Sequence, residues 1–332
     1  MNRRSLLLLG VAATASVGGA LLLTPDGVAP PPPASPLAFP ELAARLSAAA
    51  RIEVVRHDGA LLIERAGDAW VLPAKDGYKV RPERVRELLV GLTELRLTEP
   101  RTANPAQQAQ LGVDDPVTPG STATLLRLLD ASGAPMMELV LGRRRMRVQG
   151  NVPESIYVRR PGETQTWLAE GRLPVDGDPN LWIDRDIANL PRDRVMSLAV
   201  VRADAPALRL RRADGADARL SVVEPEEVPA LDDIALDDIA RAFEFLTFLD
   251  VRRAEQVPGE RIGIGLFELT DNLKIGVALH RDEDALWALL DAEGDAEATA
   301  LAARWRGWAY QIGQWKEKAM VPRLADLAKQ ER

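Results

Sequence analysis

The chain contains no cysteine among its 332 residues. This absence excludes disulfide bonds, thiolate zinc sites, cysteine nucleophiles and a lipid anchor carried on an N-terminal cysteine. Histidine is scarce as well, because only His57 and His280 occur. The sequence is therefore poor in the two residue types that most often build metal sites and nucleophile–base pairs.

The chain also has no surplus of positive charge. Its 42 Lys and Arg residues are outnumbered by 49 Asp and Glu, which gives a formal net charge of −7. General nucleic-acid binding needs a broad cationic face, so we expect no nucleic-acid partner. Nucleotide motifs are missing too, because Gly263-x-Gly265 lacks the third glycine of a dinucleotide fingerprint and no Walker sequence occurs.

The remaining polar clusters do not predict a reaction. The stretch Asp176 to Asn180 resembles a calcium loop only in part, because Leu181 and Ile187 stand where such a loop needs Gly and Glu. The acidic run from Glu224 to Asp250 fits the start of a solvated helix. We therefore predict a protein that is not an enzyme, with no catalytic residues, no metal ion and no cofactor.

The N-terminus contains a long uncharged run. Residues 6–23 are mostly apolar; they follow Arg3 and Arg4 and precede Asp26. A helix of that length spans about 27 Å, close to the ~30 Å hydrocarbon core of a bilayer. Because the arginines come before the run, it predicts a single-pass anchor in the inner membrane, with residues 1–5 in the cytoplasm and the bulk of the chain in the periplasm.

A cleaved signal peptide is the alternative for this segment. Ala13-Thr14-Ala15 is an A-x-A site, and the Arg3-Arg4 pair weakly resembles a twin-arginine signal. Cleavage there would leave Leu21-Leu22-Leu23 exposed on the mature end. We favour the uncleaved anchor, and both interpretations place the folded part outside the cytoplasm.

Small residues recur every four positions within the run. Gly10, Thr14 and Gly18 share one face of a helix. In lipid, close backbone approach over small side chains supplies much of the association energy between helices. We hypothesise that this face packs against a membrane helix of a partner, whereas ordinary signal-peptide composition is the alternative.

Residues 24–50 separate the anchor from the folded part. Seven prolines lie between Thr24 and Pro40, four of them consecutive. Such a run forms a stiff polyproline II spacer. The alanine-rich stretch Glu41 to Ala50 then predicts a short helix.

Beyond this linker, one order of patterns occurs twice. Residues 51–193 and 194–332 each predict a hairpin, a third strand, a helix and then further strands. The two helices are predicted from Pro82 to Leu95 and from Leu236 to Leu249, and they end in the similar sequences Leu-Thr-Glu-Leu and Leu-Thr-Phe-Leu. This repeat predicts an α+β fold of two tandem similar modules, each with antiparallel strands and one main helix.

One cluster of positive charge interrupts the acidic chain. It consists of Arg143, Arg144, Arg145, Arg147, Arg159 and Arg160. Arginines grouped in this way suit an anionic glycan, a lipid headgroup or an acidic partner. Arg159 and Arg160 must, however, face opposite sides of a strand, which weakens the case for a single patch.

Several motifs resemble one bacterial family. They include Thr102-Ala103-Asn104-Pro105, Leu111-Gly112-Val113-Asp114-Asp115-Pro116, Tyr157-Val158-Arg159-Arg160-Pro161-Gly162-Glu163, Trp182-Ile183-Asp184-Arg185 and Gly307-Trp308-Ala309-Tyr310. From about Phe39 onward the chain resembles the domain-of-unknown-function family numbered 4340. The resemblance implies a membrane-anchored, export-facing protein, often encoded beside an ABC transporter of the gliding-motility type, and it carries no established catalytic or ligand residues.

These observations predict a non-catalytic, membrane-anchored periplasmic accessory or scaffold protein of an envelope ABC-type transport complex. Its expected partners are inner-membrane transporter subunits. The first alternative is an envelope glycan- or lipid-binding protein that uses the arginine cluster. The second is an exported hydrolase that uses carboxylates of residues 194–332.

Overall fold

The computed structural model describes residues 35–145, 154–213 and 219–329. The predicted membrane helix with Gly10, Thr14 and Gly18 lies outside these residues, and so does Arg147. Among the described residues, no helix is long and apolar enough to cross a membrane. The fold is α+β and rich in antiparallel strands, as the sequence predicts.

The described residues of the first part of the chain form nine strands and three α-helices. The strands are β1 (Ala49–Arg56), β2 (Gly59–Ala66), β3 (Ala69–Leu72), β4 (Tyr78–Lys79), β5 (Arg96–Pro100), β6 (Thr124–Asp130), β7 (Pro135–Arg145), β8 (Ser155–Arg159) and β9 (Thr166–Glu170). The helices are α1 (Leu42–Arg45), α2 (Pro82–Glu94) and α3 (Gln108–Leu111). Short 3-10 turns cover Leu46–Ala48, Pro73–Lys75, Pro105–Gln107 and Pro179–Leu181.

The second part repeats this style. Its strands are β10 (Asp186–Ala188), β11 (Val195–Arg202), β12 (Leu208–Arg212), β13 (Leu220–Glu224), β14 (Leu246–Thr247), β15 (Asp250–Arg253), β16 (Glu260–Leu269), β17 (Lys274–Asp282), β18 (Ala285–Glu293) and β19 (Trp308–Ile312). Its helices are α4 (Asp233–Ala240), α5 (Ala296–Trp305) and α6 (Lys316–Met320). Further 3-10 turns cover Arg192–Arg194, Ala254–Gln256, Thr270–Asn272 and Leu324–Leu327.

The two large sheets have the same strand order. The first runs β4-β3-β2-β1-β6-β7-β8-β9-β5, and the second runs β13-β12-β11-β16-β17-β18-β19-β15. Apart from β4 at one edge, each strand of the first sheet has a counterpart ten numbers later in the second. All pairings within both sheets are antiparallel. Strands β1 and β11 occupy the same place in the two strand orders, and Val54 of β1 corresponds to Val200 of β11.

Local sequence explains the elements that position these sheets. His57 and Asp58 form the tight turn between β1 and β2, as predicted. Pro82 starts α2 at a position where a missing N–H costs nothing, and the apolar stripe of Val85, Leu88 and Leu92 is buried. These predictions are confirmed.

The helix predicted from Leu236 to Leu249 is wrong in extent. Helix α4 covers only Asp233–Ala240, and Leu246–Thr247 forms strand β14, which pairs with β10. Phe245 has φ = 46°, a conformation that stops a helix. Buried Phe243 packs edge-on against Phe267 at 4.8 Å, so tertiary packing overrides the helical periodicity. The segments ending at Leu95 and Leu249 therefore do not lie on equivalent helices.

The helix predicted from Glu41 to Ala50 is also too long. Helix α1 ends at Arg45, a 3-10 turn follows, and β1 already begins at Ala49. Ala49 pairs with Asp130 of β6, so sheet formation takes the last residues of the alanine-rich stretch. Alanine has good helix propensity, but the ladder to β6 decides the structure here.

Side chains of both sheets share one large hydrophobic core. An aromatic group joins them: the Tyr78 ring lies edge-on to Phe248 at 5.5 Å and to Trp308 at 4.8 Å. Lys75 also donates to Asp250 at 2.6 Å. The two sheets thus share apolar and polar contacts and do not fold as separate units without contact.

Candidate functional site

The second sheet turns one face to the core and the other outward, and the outward face is unusually apolar. In β11, Leu198 and Val200 are buried, yet the alternate residues Ala199 and Val201 are apolar as well. Val201 is 58% exposed. A strand with one face in solvent normally alternates apolar and polar residues. Apolar residues on both faces of the strand therefore indicate that the outward face is buried in a contact.

Strand register assembles these residues into a band. Val201 pairs with Ile264, Ile264 with Ala278, and Ala278 with Leu289. The adjacent row runs from Ala199 to Leu266 and then to Gly276. We call this set the apolar band: Ala199, Val201, Ile264, Leu266, Gly276, Ala278 and Leu289.

Leu266 stands at the centre of the apolar band and is 51% exposed. Its neighbours across the ladder are Ala199 and Gly276, both small. A Cβ on Gly276 would meet only the Leu266 side chain, at 3.8 Å, so the space above this glycine is open. The band therefore has a ridge at Leu266 with shallow hollows on both sides.

Polar rows border the apolar band. One row consists of Arg211, Ser197, Glu268, Lys274 and Glu293. On the opposite border, Arg261 pairs with His280, and the face ends there at Trp287, which is buried under Arg252. An apolar centre with a polar rim is the anatomy of a protein contact surface.

In the first sheet, the row that corresponds to part of the apolar band is covered. By strand order, Val55, Leu125 and Val140 are the counterparts of Val201, Ile264 and Ala278. Leu111 at the end of α3 and Val113 just after it pack on this row and form a small second core with it. Val113 is completely buried. The apolar row of the first sheet is thus covered by its own chain.

This cover is held by specific contacts. Arg159 donates from Nε to the carbonyl oxygen of Val113 at 2.7 Å and from a terminal nitrogen to that of Asp114 at 3.3 Å. Gly142 lets the segment approach, because a Cβ there would overlap the carbonyl oxygen of Leu111. In the second sheet the matching connection between β15 and β16 is a single 3-10 turn and a short loop. It does not supply an equivalent cover.

The next row of the first sheet is polar. Arg127 bonds Glu138 at 2.9 Å and Glu53 at 3.4 Å. The corresponding row of the second sheet consists of Ala199, Leu266 and Gly276. The first sheet therefore exposes an ionic ladder where the second exposes apolar side chains.

The predicted arginine cluster is divided among different contacts. Arg144 donates to the carbonyl oxygen of Leu173 at 2.6 Å, and Arg160 donates to that of Ala38 at 2.8 Å. Arg159 holds the Val113 segment, whereas Arg143 and Arg145 are exposed. Arginines that satisfy buried carbonyls are less free to bind an anion. Binding of an anionic ligand by this cluster stays a prediction.

The other polar motifs have structural surroundings. His57 is exposed in its turn, and His280 lies with Nδ1 3.5 Å from the carbonyl oxygen of Gly259. Asp178 accepts from the Asn180 amide at 2.8 Å, and Asp232 caps α4 through the Ile234 amide at 2.9 Å. In the described ranges, no group of three or more His, Asp or Glu residues is placed to hold a metal ion.

A cleft of about 570 Å³ lies where the two sheets meet. Trp70, Tyr78 and Trp308 supply aromatic walls, and charged residues such as Lys79 and Arg304 also line the cleft. Several of these groups already have partners. The Arg253 guanidinium stacks on Trp308 at 4.2 Å, and Arg304 pairs with Asp184 at 2.8 Å. The cleft therefore offers fewer free groups than its lining suggests.

Lys316 is one of two charged residues that are almost completely buried in the described part of the chain, and it is 3% exposed. Its Nζ donates to the carbonyl oxygens of Ala242 at 2.6 Å and Arg241 at 3.2 Å, just beyond α4. It thus binds carbonyl groups that the helix leaves unpaired. Burial lowers the pKa of Lys316 to about 8, although Asp238 and Glu244 act in the opposite direction.

We expect this shift to appear as a pH dependence of stability. The unfolded chain keeps the Lys316 proton up to about pH 10.5, whereas the folded chain releases it above about pH 8. Stability therefore rises with pH across that window, by at most about 3 kcal/mol relative to Lys316→Met. Urea unfolding of both proteins from pH 7 to pH 10.5 measures the difference, and parallel curves would contradict it.

Sequence analysis did not identify the apolar band. The available signal was the run of apolar residues at consecutive positions in Leu198-Ala199-Val200-Val201 and in Ile264 to Phe267, where a half-exposed strand should alternate. Comparison with known proteins gives one result. Residues 70–261 match the model of a family described as Domain of unknown function (DUF4340). No curated protein and no solved structure is detectably similar to the chain.

Proposed function

Since the chain belongs to the DUF4340 family, whose members share a domain of unknown function, we propose a function from the site itself. The protein is a non-catalytic, membrane-anchored scaffold of an envelope ABC-type transport complex, with its folded part in the periplasm. Its partners are inner-membrane transporter subunits. Its task is to hold proteins together, and the chemistry of transport belongs to those partners.

The observation that carries this proposal is the uncovered apolar band. The same row of the same sheet design is covered by Leu111 and Val113 in the first half of the chain and left open in the second. Exposed apolar side chains cost free energy in water, roughly 25 cal/mol per Å². An apolar surface with a polar rim supports a function in protein contact.

The matching strand orders support a second part of the proposal, that the fold consists of two tandem similar modules. Duplication of one module gives two copies of an outward face. One copy then keeps its cover and the other is free to take a partner. This division suits a scaffold, because one module supplies stability and the other supplies contact.

The anchor follows from the N-terminal sequence. Residues 6–23 fit a membrane-spanning helix, and the proline-rich residues 24–40 hold the folded part away from the bilayer. Gly10, Thr14 and Gly18 provide a small-residue face for a permease helix.

We expect the triple variant Gly10→Leu, Thr14→Leu and Gly18→Leu to remain in the membrane fraction and to lose its transporter partners. Leucine keeps the segment apolar but prevents close backbone approach. The assay is affinity purification of the tagged full chain from solubilised membranes, followed by mass spectrometry.

The matched control replaces Ala12, Ser16 and Ala20 by Leu, since these residues have the same spacing on a different side of the helix. This control variant should still co-purify with transporter subunits. The hypothesis fails if the first triple variant retains its partners. It also fails if the mature wild-type protein begins after Ala15.

A further inference from the structure

We propose that the apolar band of one chain packs against the apolar band of a second copy, so that the protein is a two-fold symmetric dimer. This inference rests on the proposed function only in treating the band as a protein contact surface. The occupant is argued from the charges that border the band.

The sheet places opposite charges at equal distances from its centre. Strand β16 carries Leu266, and β12 and β18 each lie two strands away on opposite sides. Arg209 and Arg211 project from β12, whereas Asp291 and Glu293 occupy the same two rows on β18. The outward face is therefore positive at one side and negative at the other.

A two-fold axis parallel to β16 brings these opposite charges together. It places β12 of one copy over β18 of the other, so Arg209 and Arg211 face Asp291 and Glu293 twice. An axis perpendicular to the strands would instead put β12 over β12 and set arginine against arginine. Opposite charges across an interface favour association and fix its register.

The same axis matches the apolar shapes. Leu266 of each copy meets its own symmetry mate at the centre, while Val201 on β11 faces the hollow at Ala278 on β17. The two Glu268 carboxylates also approach each other, and Lys274, paired beside Glu268 in the ladder of each copy, offsets their repulsion. Two sheets packed in this way would lie about 10 Å apart with nearly aligned strands, as in β-sandwiches.

The border charges are available for such contacts. Arg209 is paired with Glu224 but its side chain is 67% exposed. For Arg211, Asp291 and Glu293, no ion pair occurs within the described part of the chain. A membrane surface or an unrelated helix would satisfy the apolar band but would not require this antisymmetric arrangement of charge.

The first test is the mass of the full-length chain in detergent, measured by light scattering over a range of concentrations. The wild type should be a dimer. Leu266→Asp should raise the dimer dissociation constant by about 100-fold or more, because it places two carboxylates on the axis. Val90→Asp is the matched control, since Val90 is 43% exposed on α2, and it should remain dimeric.

The second test is a charge exchange. Arg211→Glu and Glu293→Arg should each weaken the dimer, because each places like charges together, whereas the double variant restores opposite pairs and should recover wild-type association. Unchanged thermal unfolding of every variant shows that folding is intact. A monomeric wild type, or a double variant weaker than either single one, would overturn the inference.

These outcomes are separable from the proposed function. A monomeric wild type that still co-purifies with transporter subunits refutes the dimer and leaves the scaffold proposal standing. A dimer that co-purifies with no transporter subunit does the reverse. If Leu266→Asp leaves the dimer intact, the apolar band is not the interface and the inference is wrong.

Discussion

Replacing Trp182 by Ala should destabilise the folded protein by about 3–5 kcal/mol. The Trp182 side chain is completely buried, and its indole Nε1 donates to the carbonyl oxygen of Asp176 at 2.9 Å. Its backbone carbonyl also accepts from the Arg81 amide at 2.8 Å, next to the start of α2. Truncation leaves a large cavity and an unpaired carbonyl group. The measurement is urea unfolding of the full chain followed by circular dichroism.

Trp315 is the natural control. It is the same residue type, yet its side chain is 64% exposed. It contributes mainly a ring face at 4.4 Å from the Lys316 ammonium group, which is worth about 1 kcal/mol. Trp315→Ala should therefore cost no more than that. Equal losses for the two variants would contradict the burial difference.

Replacing Arg202 by Met should cost a similar amount, about 3–5 kcal/mol. The guanidinium side chain is 2% exposed and forms a two-pronged contact with Asp204 at 2.7 and 3.1 Å. It also donates to Glu317 at 3.1 Å and to the carbonyl oxygen of Val321 at 2.9 Å. Removing the cation leaves the Val321 carbonyl oxygen without this donor at the junction of β11 and α6. Asp204 and Glu317 each lose one of their arginine partners, because Arg323 and Arg281 also donate to them.

The control for this variant is Arg219→Met. Arg219 pairs with Asp233 at 3.0 Å, but its side chain is 71% exposed, so we expect a loss below about 1 kcal/mol. Thermal and urea unfolding measure both. An Arg202→Met protein as stable as Arg219→Met would show that the buried charge network contributes little.

The Arg202 network also predicts the direction of a pH effect. Hydrogen bonds from Arg202 and then Arg323 hold the pKa of Asp204 well below its usual range. A lowered pKa means that this carboxylate stabilises the folded chain above its unfolded pKa and loses that effect as the pH falls. Arg202→Met should therefore lose less stability than the wild type on acidification below pH 4.

Strands with strong local signals were predictable from the sequence. The hairpin around His57, the third strand ended by Pro73 and helix α2 started by Pro82 all depend on turn residues and periodicity within a few positions. The repeated order of patterns also corresponds to the common strand order of the two sheets. Each of these features depends on residues that are close together in the sequence, so each can be predicted from the sequence alone.

Features set by distant contacts were not predictable. The helix expected up to Leu249 ends at Ala240, because Phe243 enters the core beside Phe267 and Leu246–Thr247 pairs with β10. The short strands β5 and β15 form the edges of their sheets by pairing with β9 and β19. A strand of five or fewer residues is too short for its periodicity to predict it.

The candidate site escaped prediction for a related reason. Ala199, Leu266 and Gly276 lie far apart in sequence and form one row only through the register of three strands. Its significance comes from comparison with the first sheet, where Leu111 and Val113 cover the corresponding row. A sequence shows that these residues are apolar but not that one row is covered and the other is open.

Purification of the tagged wild-type chain from solubilised membranes tests the central claim most directly. Mass spectrometry of the eluate identifies the co-purifying proteins and the N-terminus of the chain itself. The scaffold proposal predicts an intact N-terminal segment and stoichiometric permease and ATPase subunits of an ABC-type transporter. A chain that elutes without transporter subunits, or that appears in the soluble fraction with its first residues removed, would contradict the proposal.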